Sequence, residues 1–330
     1  MKSLPKPPAG REGWPWVEGD RRDSTDAAGS ESPRITVVTP SFNQAEFIEE
    51  TIRSVLLQGY PNLEYIVIDG GSTDGSVEII QKYSPWLAYW CSEEDRGQSH
   101  AINKGFGRAT GEILGWLNSD DIFYPRALHT VAEELSTADI FLGGMVKVRQ
   151  EGNNLVEVKR STPFTGRPIH EYRILRNGPR HEFHFYQPSM FWTARLWEQT
   201  GELDEGYHYV MDRQWCNRAL AQGAVVALTD RPLARFRLHG DSKSVALHER
   251  FAAEVIRMYM RFAFRRDFRF FACLLSTLGP AQGLCGRRAR REREQGNLPS
   301  ALGYLNAARA IKGFRYLMRG APQEQSPEES

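Results

Sequence analysis

From residue 34 to residue 145, short β-branched runs alternate with stretches whose apolar positions recur at helical spacing. Residues 34–38 predict a first strand that stops at Thr39-Pro40-Ser41, because proline has no N–H to give a ladder. Asn43 stands three residues before Glu46, the spacing of a capping box, and Ile48, Ile52, Val55 and Leu56 predict the helix behind it. Gly59-Tyr60-Pro61-Asn62 ends that helix. Residues 63–68, dense in Ile and Val, predict a strand covered on both faces, and a glycine-rich loop over 69–75 leads into a helix over 76–83. A strand over 87–91, a helix over 99–108 and a strand over 113–117 continue the rhythm, which is that of an α/β fold with a mostly parallel, helix-covered sheet.

The strand over 113–117 ends in Asn118-Ser119-Asp120-Asp121. Carboxylate and amide oxygens suit a hard divalent cation that binds few protein groups together with a diphosphate. The plain alternative is a solvated Asp pair capping the helix that begins near Pro125. Polar loops follow Val38, Ile68 and Leu117, and in a parallel sheet these lie on one edge, where α/β proteins form ligand clefts. The loop over 69–75 matches neither GxGxxG nor GxxxxGK[ST], so neither a Rossmann nor a P-loop site is predicted.

With 41% hydrophobic and 25% charged residues, the 330-residue chain is long enough for a sizeable core. A formal charge of +1 gives no reason to expect a nucleic-acid partner. Cys91, Cys216, Cys273 and Cys285 are too scattered for a zinc site and read as the reduced thiols of a cytoplasmic protein. Residues 1–33, rich in Pro, Gly and charge, lack the apolar core of a signal peptide and are expected to form a disordered or loosely attached leader.

After residue 145 the rhythm loosens, and residues 146–250 are expected to bind the acceptor. The run over 181–192 mixes aromatic rings with His184 and Gln187, a wall that suits a sugar: rings cover its C–H patch while polar groups take its hydroxyls. Incidental histidines in a core hairpin are the alternative. Residues 251–330 carry Arg257, Arg261, Arg265 and Arg269 among Ile256, Met260, Phe264 and Phe268, followed by Arg287, Arg288, Arg290, Arg291 and Arg293. This predicts a basic amphipathic helical extension that either lies peripherally on an anionic membrane or docks on the core.

Thr39-Pro40-Ser41-Phe42-Asn43, the loop 69–75, the segment from Asp95-Arg96-Gly97-Gln98 to Asn103-Lys104-Gly105, and Asn118 to Asp121 together resemble the inverting family 2 glycosyltransferases. The resemblance covers residues 34–145, the nucleotide-sugar half, with further elements to about residue 245. It implies a GT-A fold, a nucleotide-diphosphate sugar donor, a divalent cofactor (Mn2+ or Mg2+) and, at the level of the family, a glycan acceptor; the basic extension over 251–330 suits a lipid-linked acceptor at the inner face of the cell membrane. By that resemblance Thr39, Pro40 and Asn43 border the nucleoside, Asp69 accepts from the base, and Asp95, Gly97, Asn103, Asn118 and Ser119 line the donor pocket. The family's Asp-x-Asp becomes Asn118 and Asp120 here, with His239 as a further metal ligand. Arg and Lys neighbours of His239 would reach phosphate. Asp212, at a helix start, is the implied general base, with Trp215 behind it on the acceptor side. Two rivals remain at this point. A sugar-phosphate nucleotidyltransferase would want GxGxR at the first strand end, whereas Gly105-Phe106-Gly107-Arg108 lies at the wrong end of a helix; a catalytically silent sugar-binding scaffold would explain Asn118.

Overall fold

The computed structural model describes residues 3–16, 32–151, 154–162, 173–175 and 185–239, with isolated helical positions between 251 and 294. Strands β1 (Ile35–Ser41), β2 (Leu63–Asp69), β3 (Tyr89–Ser92) and β4 (Ile113–Trp116) run parallel in the order β3-β2-β1-β4. Their crossovers are helices α1 (Ile48–Leu56), α2 (Ser76–Tyr83) and α3 (Gln98–Phe106). β1 outruns the stop expected at Pro40. Val38 offers its carbonyl to Leu117 on the β4 side, so Pro40, of the same parity, directs its missing N–H to where β4 has already ended.

The second half builds a mixed sheet. It comprises β5 (Ile122–Phe123), α4 (Ala127–Glu134), β6 (Ile140–Glu151), β7 (Asn154–Ser161), β8 (Arg173–Leu175), β9 (Met190–Thr193), α5 (Ala194–Thr200), α6 (Met211–Ala221) and β10 (Val226–Leu238). The strand order continues from β4 as β9-β6-β10-β5, with β9 antiparallel to both β4 and β6. β6 runs straight through residue 145, so the loosening expected there begins later.

One side of the sheet buries Val37, Ile52, Val55, Val67, Leu128 and Phe141. Elsewhere Phe106, Trp116, Trp192, Trp197 and Trp215 pack ring against ring, with Trp192 and Trp215 centroids 4.8 Å apart. The leader departs from expectation over residues 3–16. Trp16 is buried, Trp14 donates to the Phe123 carbonyl at 2.7 Å, and the buried Arg53 donates to the carbonyls of Pro5, Pro15 and Trp16. Aromatic anchors and one buried guanidinium tie down a segment whose composition alone suggests disorder.

The chain divides into two compact units, Met1–Ser242 and Lys243–Ser330, eight residues before the boundary expected at 250. Most of the second unit, including the stripe from Arg261 to Arg269, lies outside the described residues. Among the described residues no helix is long and apolar enough to cross a membrane.

Candidate active site

The loops after β1 and β2 are stitched together. Asn43, at φ 51°, accepts from the Thr73 N–H at 2.9 Å and donates its own N–H to Ser72 Oγ. This draws it away from α1, which starts at Ile48 with no side-chain cap, so the Asn43/Glu46 capping box does not form. Asp69 is fully buried and accepts four hydrogen bonds, from the N–H groups of Gly71 and Ser72 and the hydroxyls of Ser72 and Ser92. A carboxylate has about four acceptor sites, so Asp69 organises its own loop instead of receiving a base, which corrects its expected role. Thr39 is likewise turned inward, its hydroxyl 3.0 Å from Tyr65 Oη, which leaves only backbone to border a nucleoside; Pro40 is buried beside it. Phe42, not singled out from the sequence, stands 60% exposed at this edge.

Asp95 sits against Gly70, where a Cβ would come within 2.6 Å of its carboxylate, and accepts the Gly97 N–H at 2.6 Å. Gly97, at φ 112°, takes a backbone conformation that suits glycine and leads into α3. Gln98 then donates to Asn118 Oδ1 at 2.7 Å. Asn103 is a correction: its amide exchanges two hydrogen bonds with the Leu203 backbone, both at 3.0 Å, so it pins the segment before α6 and does not line a donor pocket.

The polar end of β4 is held from all sides. Asn118 donates to Gln187 Oε1 at 3.2 Å, and Gln187 donates to the Trp116 carbonyl at 2.7 Å. Gln187 therefore braces β4 and does not present its amide to an acceptor, a further correction. Ser119 is buried, and its carbonyl and that of Asp121 accept from Thr51. Asp120 Oδ2 and His239 Nε2 are 2.8 Å apart. Asp121 is fully buried; burial, and then the neighbouring Asp120, push its carboxyl well above the usual range. Arg237 is buried against Glu50 at 2.7 Å, and Arg235 lies over the Tyr124 ring, so neither reads as the phosphate contact expected of His239's neighbours. Glu50 and Thr51 gave no sign of this in the chain, because a polar residue inside an apolar helix carries no clue to a distant partner.

Asp212 opens α6 and accepts the Arg213 N–H at 2.7 Å. Burial raises its carboxyl above the usual range against the opposing pull of Arg213. The segment before it reaches the start of α3 through Arg96 and Glu205, paired at 2.9 Å, and through Ser99, which donates to the Tyr207 carbonyl. Gln98, next in sequence, holds Asn118, so the Asp212 and Asp120 elements meet around one helix end. Trp215 is also corrected: it is fully buried among Trp192 and Trp197 and donates to the Gly201 carbonyl, so it cannot face an acceptor. His184 lies outside the described residues.

Among the described residues no three His, Cys, Asp or Glu side chains gather for a metal. The pair that does converge fits one. Its 2.8 Å separation approaches the edge of about 3 Å between adjacent ligands of an octahedral cation with bonds of about 2.1 Å. Imidazole and carboxylate are both accepted by Mn2+, with other positions open to diphosphate and water. Asn118 fits less well, since its oxygen is already taken by Gln98.

Residues 36–199 match the family model described as Glycosyl transferase family 2, and this part of the chain belongs to that family, with a fold of the GT-A type. An uncharacterized glycosyltransferase of Mycobacterium tuberculosis is 40% identical over 107 residues, 32% of this chain and 41% of that protein. The putative teichuronic acid biosynthesis glycosyltransferase TuaG of Bacillus subtilis is 40% identical over 94 residues, 27% of this chain and 36% of its own. The chain spans about a third to two fifths of the length of such curated relatives. Among solved structures, S. aureus TarS 1-349 in complex with UDP superposes with a TM-score of 0.60 at 17% identity, covering 89% of this chain and 93% of that one. Mannosyltransferase PcManGT from Pyrobaculum calidifontis, in complex with GDP-Man and Mn2+, gives 0.54 at 20% identity, covering 86% and 88%.

Proposed function

We propose that this protein transfers a sugar from a nucleotide-diphosphate donor to a hydroxyl acceptor, in one inverting displacement that depends on Mn2+ or Mg2+. The observation that carries the reading is the 2.8 Å approach of Asp120 to His239 at the edge where the donor-side loops and the start of α3 also end. Asp120 and His239 would hold the cation, whose charge would offset that of the departing diphosphate. Asp212 takes the proton of the acceptor hydroxyl as that oxygen bonds to the anomeric carbon, while the bond from that carbon to the diphosphate oxygen breaks. Its raised affinity for protons makes it a stronger base than an exposed aspartate.

The acceptor we infer is a glycan or lipid-linked saccharide in cell-surface polysaccharide synthesis, on the cytoplasmic side. Support comes from the name of the Bacillus relative and from the basic sequence over 251–330, which suits an anionic membrane surface. Failure of the full-length chain to bind anionic liposomes at low salt would remove the membrane part of the proposal.

A thermal-shift panel of UDP, GDP, dTDP and CDP sugars with Mn2+, Mg2+ or chelator tests the whole reading, because a ligand of the folded state raises the melting temperature by mass action. Metal-dependent stabilisation by one donor, followed by turnover with an acceptor, is expected. Stabilisation without turnover on any acceptor would mark a silent binding protein instead.

A further inference from the structure

Helix α1 is buried nearly all round although it carries Glu50, Thr51, Arg53 and Ser54, each at most 5% exposed. Most of these polar groups reach out of the helix to the segments that bear Asp120 and His239. Thr51 Oγ1 donates to the carbonyls of Ser119 and Asp121, at 2.9 and 2.7 Å. Ser54 Oγ accepts the Phe123 N–H at 3.2 Å. Glu50 takes Arg237, near the end of β10, at 2.7 Å.

Two further Arg237 donors go to the same place, and a third goes to β6. Its Nε donates to the Asp120 carbonyl at 3.1 Å, its backbone N–H to Asp121 Oδ1 at 3.2 Å, and its Nη1 to Gln150 at 2.8 Å. The guanidinium also covers the Phe47 ring, whose other neighbour is the His239 ring at 4.7 Å between centroids. A guanidinium is a planar fork with fixed donor directions, so it fixes relative positions as a flexible ammonium does not. A buried ion pair is also a poor source of stability, since apolar residues of the same volume often do as well or better. This pair has a different use available to it: it ties α1 and β10 to the backbone of the residue that faces His239.

We propose that Glu50 and Arg237 are positioning residues, which set His239, two residues beyond Arg237, against Asp120 and thereby set the affinity of that pair for a divalent cation. The inference rests on the metal-dependent reading above. It asks of Arg237 only that it hold the pair, with no contact to substrate.

The test is Mn2+ binding followed by electron paramagnetic resonance on the full chain, with UDP and in parallel with GDP. The variants are Asp120→Ala, Arg237→Lys and the double substitution Glu50→Leu/Arg237→Met; Glu64→Gln is the control. Glu64 is equally buried but bonded to Thr36 and Thr110 at the far end of the parallel strands. Both positioning variants should weaken Mn2+ binding about tenfold or more, the scale of losing a partner that orients a ligand. Glu64→Gln should lower the melting temperature and leave Mn2+ affinity unchanged. The apolar double variant removes the fork without stranding a charge, and if it does not fold, Arg237→Lys decides. Wild-type affinity in the folded positioning variants, with binding lost in Asp120→Ala, overturns this inference alone. No Mn2+ binding by the wild type overturns the metal reading and this inference with it.

Discussion

His239 Nε2 stands 2.8 Å from Asp120 Oδ2 across 119 residues of sequence. Neither residue reaches the other by local structure: Asp120 follows β4, a central parallel strand, and His239 follows β10, which enters the sheet on the far side of β9 and β6. The contact exists because the mixed half of the sheet returns the chain to the edge where the parallel half ends.

Removing either member should disable the donor site without unfolding the chain, since both side chains are partly exposed. Asp120→Ala and His239→Ala should each reduce metal-dependent donor binding at least about tenfold. Chelation should bring the wild type to the same level, and calorimetric titration with the stabilising donor checks both.

Asp212→Asn should lower kcat by about a hundredfold or more, the usual range for losing a general base, with donor affinity kept. Because burial raises the carboxyl, its folded form binds a proton more readily than the unfolded chain does. Any stability this contributes is therefore present at low pH and lost as pH rises through the folded value. At neutral pH the amide should melt no lower than the wild type. The same sign puts the acid limb of the kcat profile above the value of about 3.9 typical of an unperturbed aspartate. A limb at or below that value would remove Asp212 from the role.

Trp215 should act on stability and not on acceptor recognition. Trp215→Ala leaves a void among Trp192 and Trp197 and should cost about 3–5 kcal/mol in denaturant unfolding. Trp215→Phe should retain the acceptor KM, and a large rise in KM for a well-folded Phe variant would restore the acceptor role to this ring.

Removing residues 1–16 should expose the Arg53 site. The guanidinium would lose its bonds to the carbonyls of Pro5, Pro15 and Trp16 while keeping Tyr83. A hydrogen bond to a charged group contributes about 1.5–3 kcal/mol net, so the loss would show as a shift in the denaturation midpoint. An unchanged midpoint would mean that the segment contributes nothing to the fold.

Much of the parallel half was legible in the chain. Helix α2 begins and ends where its spacing predicts, and β4 lies within a residue of expectation, because periodicity acts locally. The antiparallel insertion of β9 was not legible, since strand order depends on pairings far apart in sequence. In the site, the fold brings Asp120 and His239 to 2.8 Å, whereas Asp69, Asn103, Gln187 and Trp215 hold loops and core. A polar side chain shows in sequence that it needs partners; only the fold shows whether protein groups have already supplied them.

The most direct test is a crystal of the full chain grown with Mn2+ and whichever nucleotide sugar stabilises it, with diffraction data collected at the manganese absorption edge. One anomalous peak is expected between Asp120 and His239, beside the diphosphate of the donor. A peak elsewhere, or a bound donor with no peak between these two residues, would contradict the metal-dependent reading.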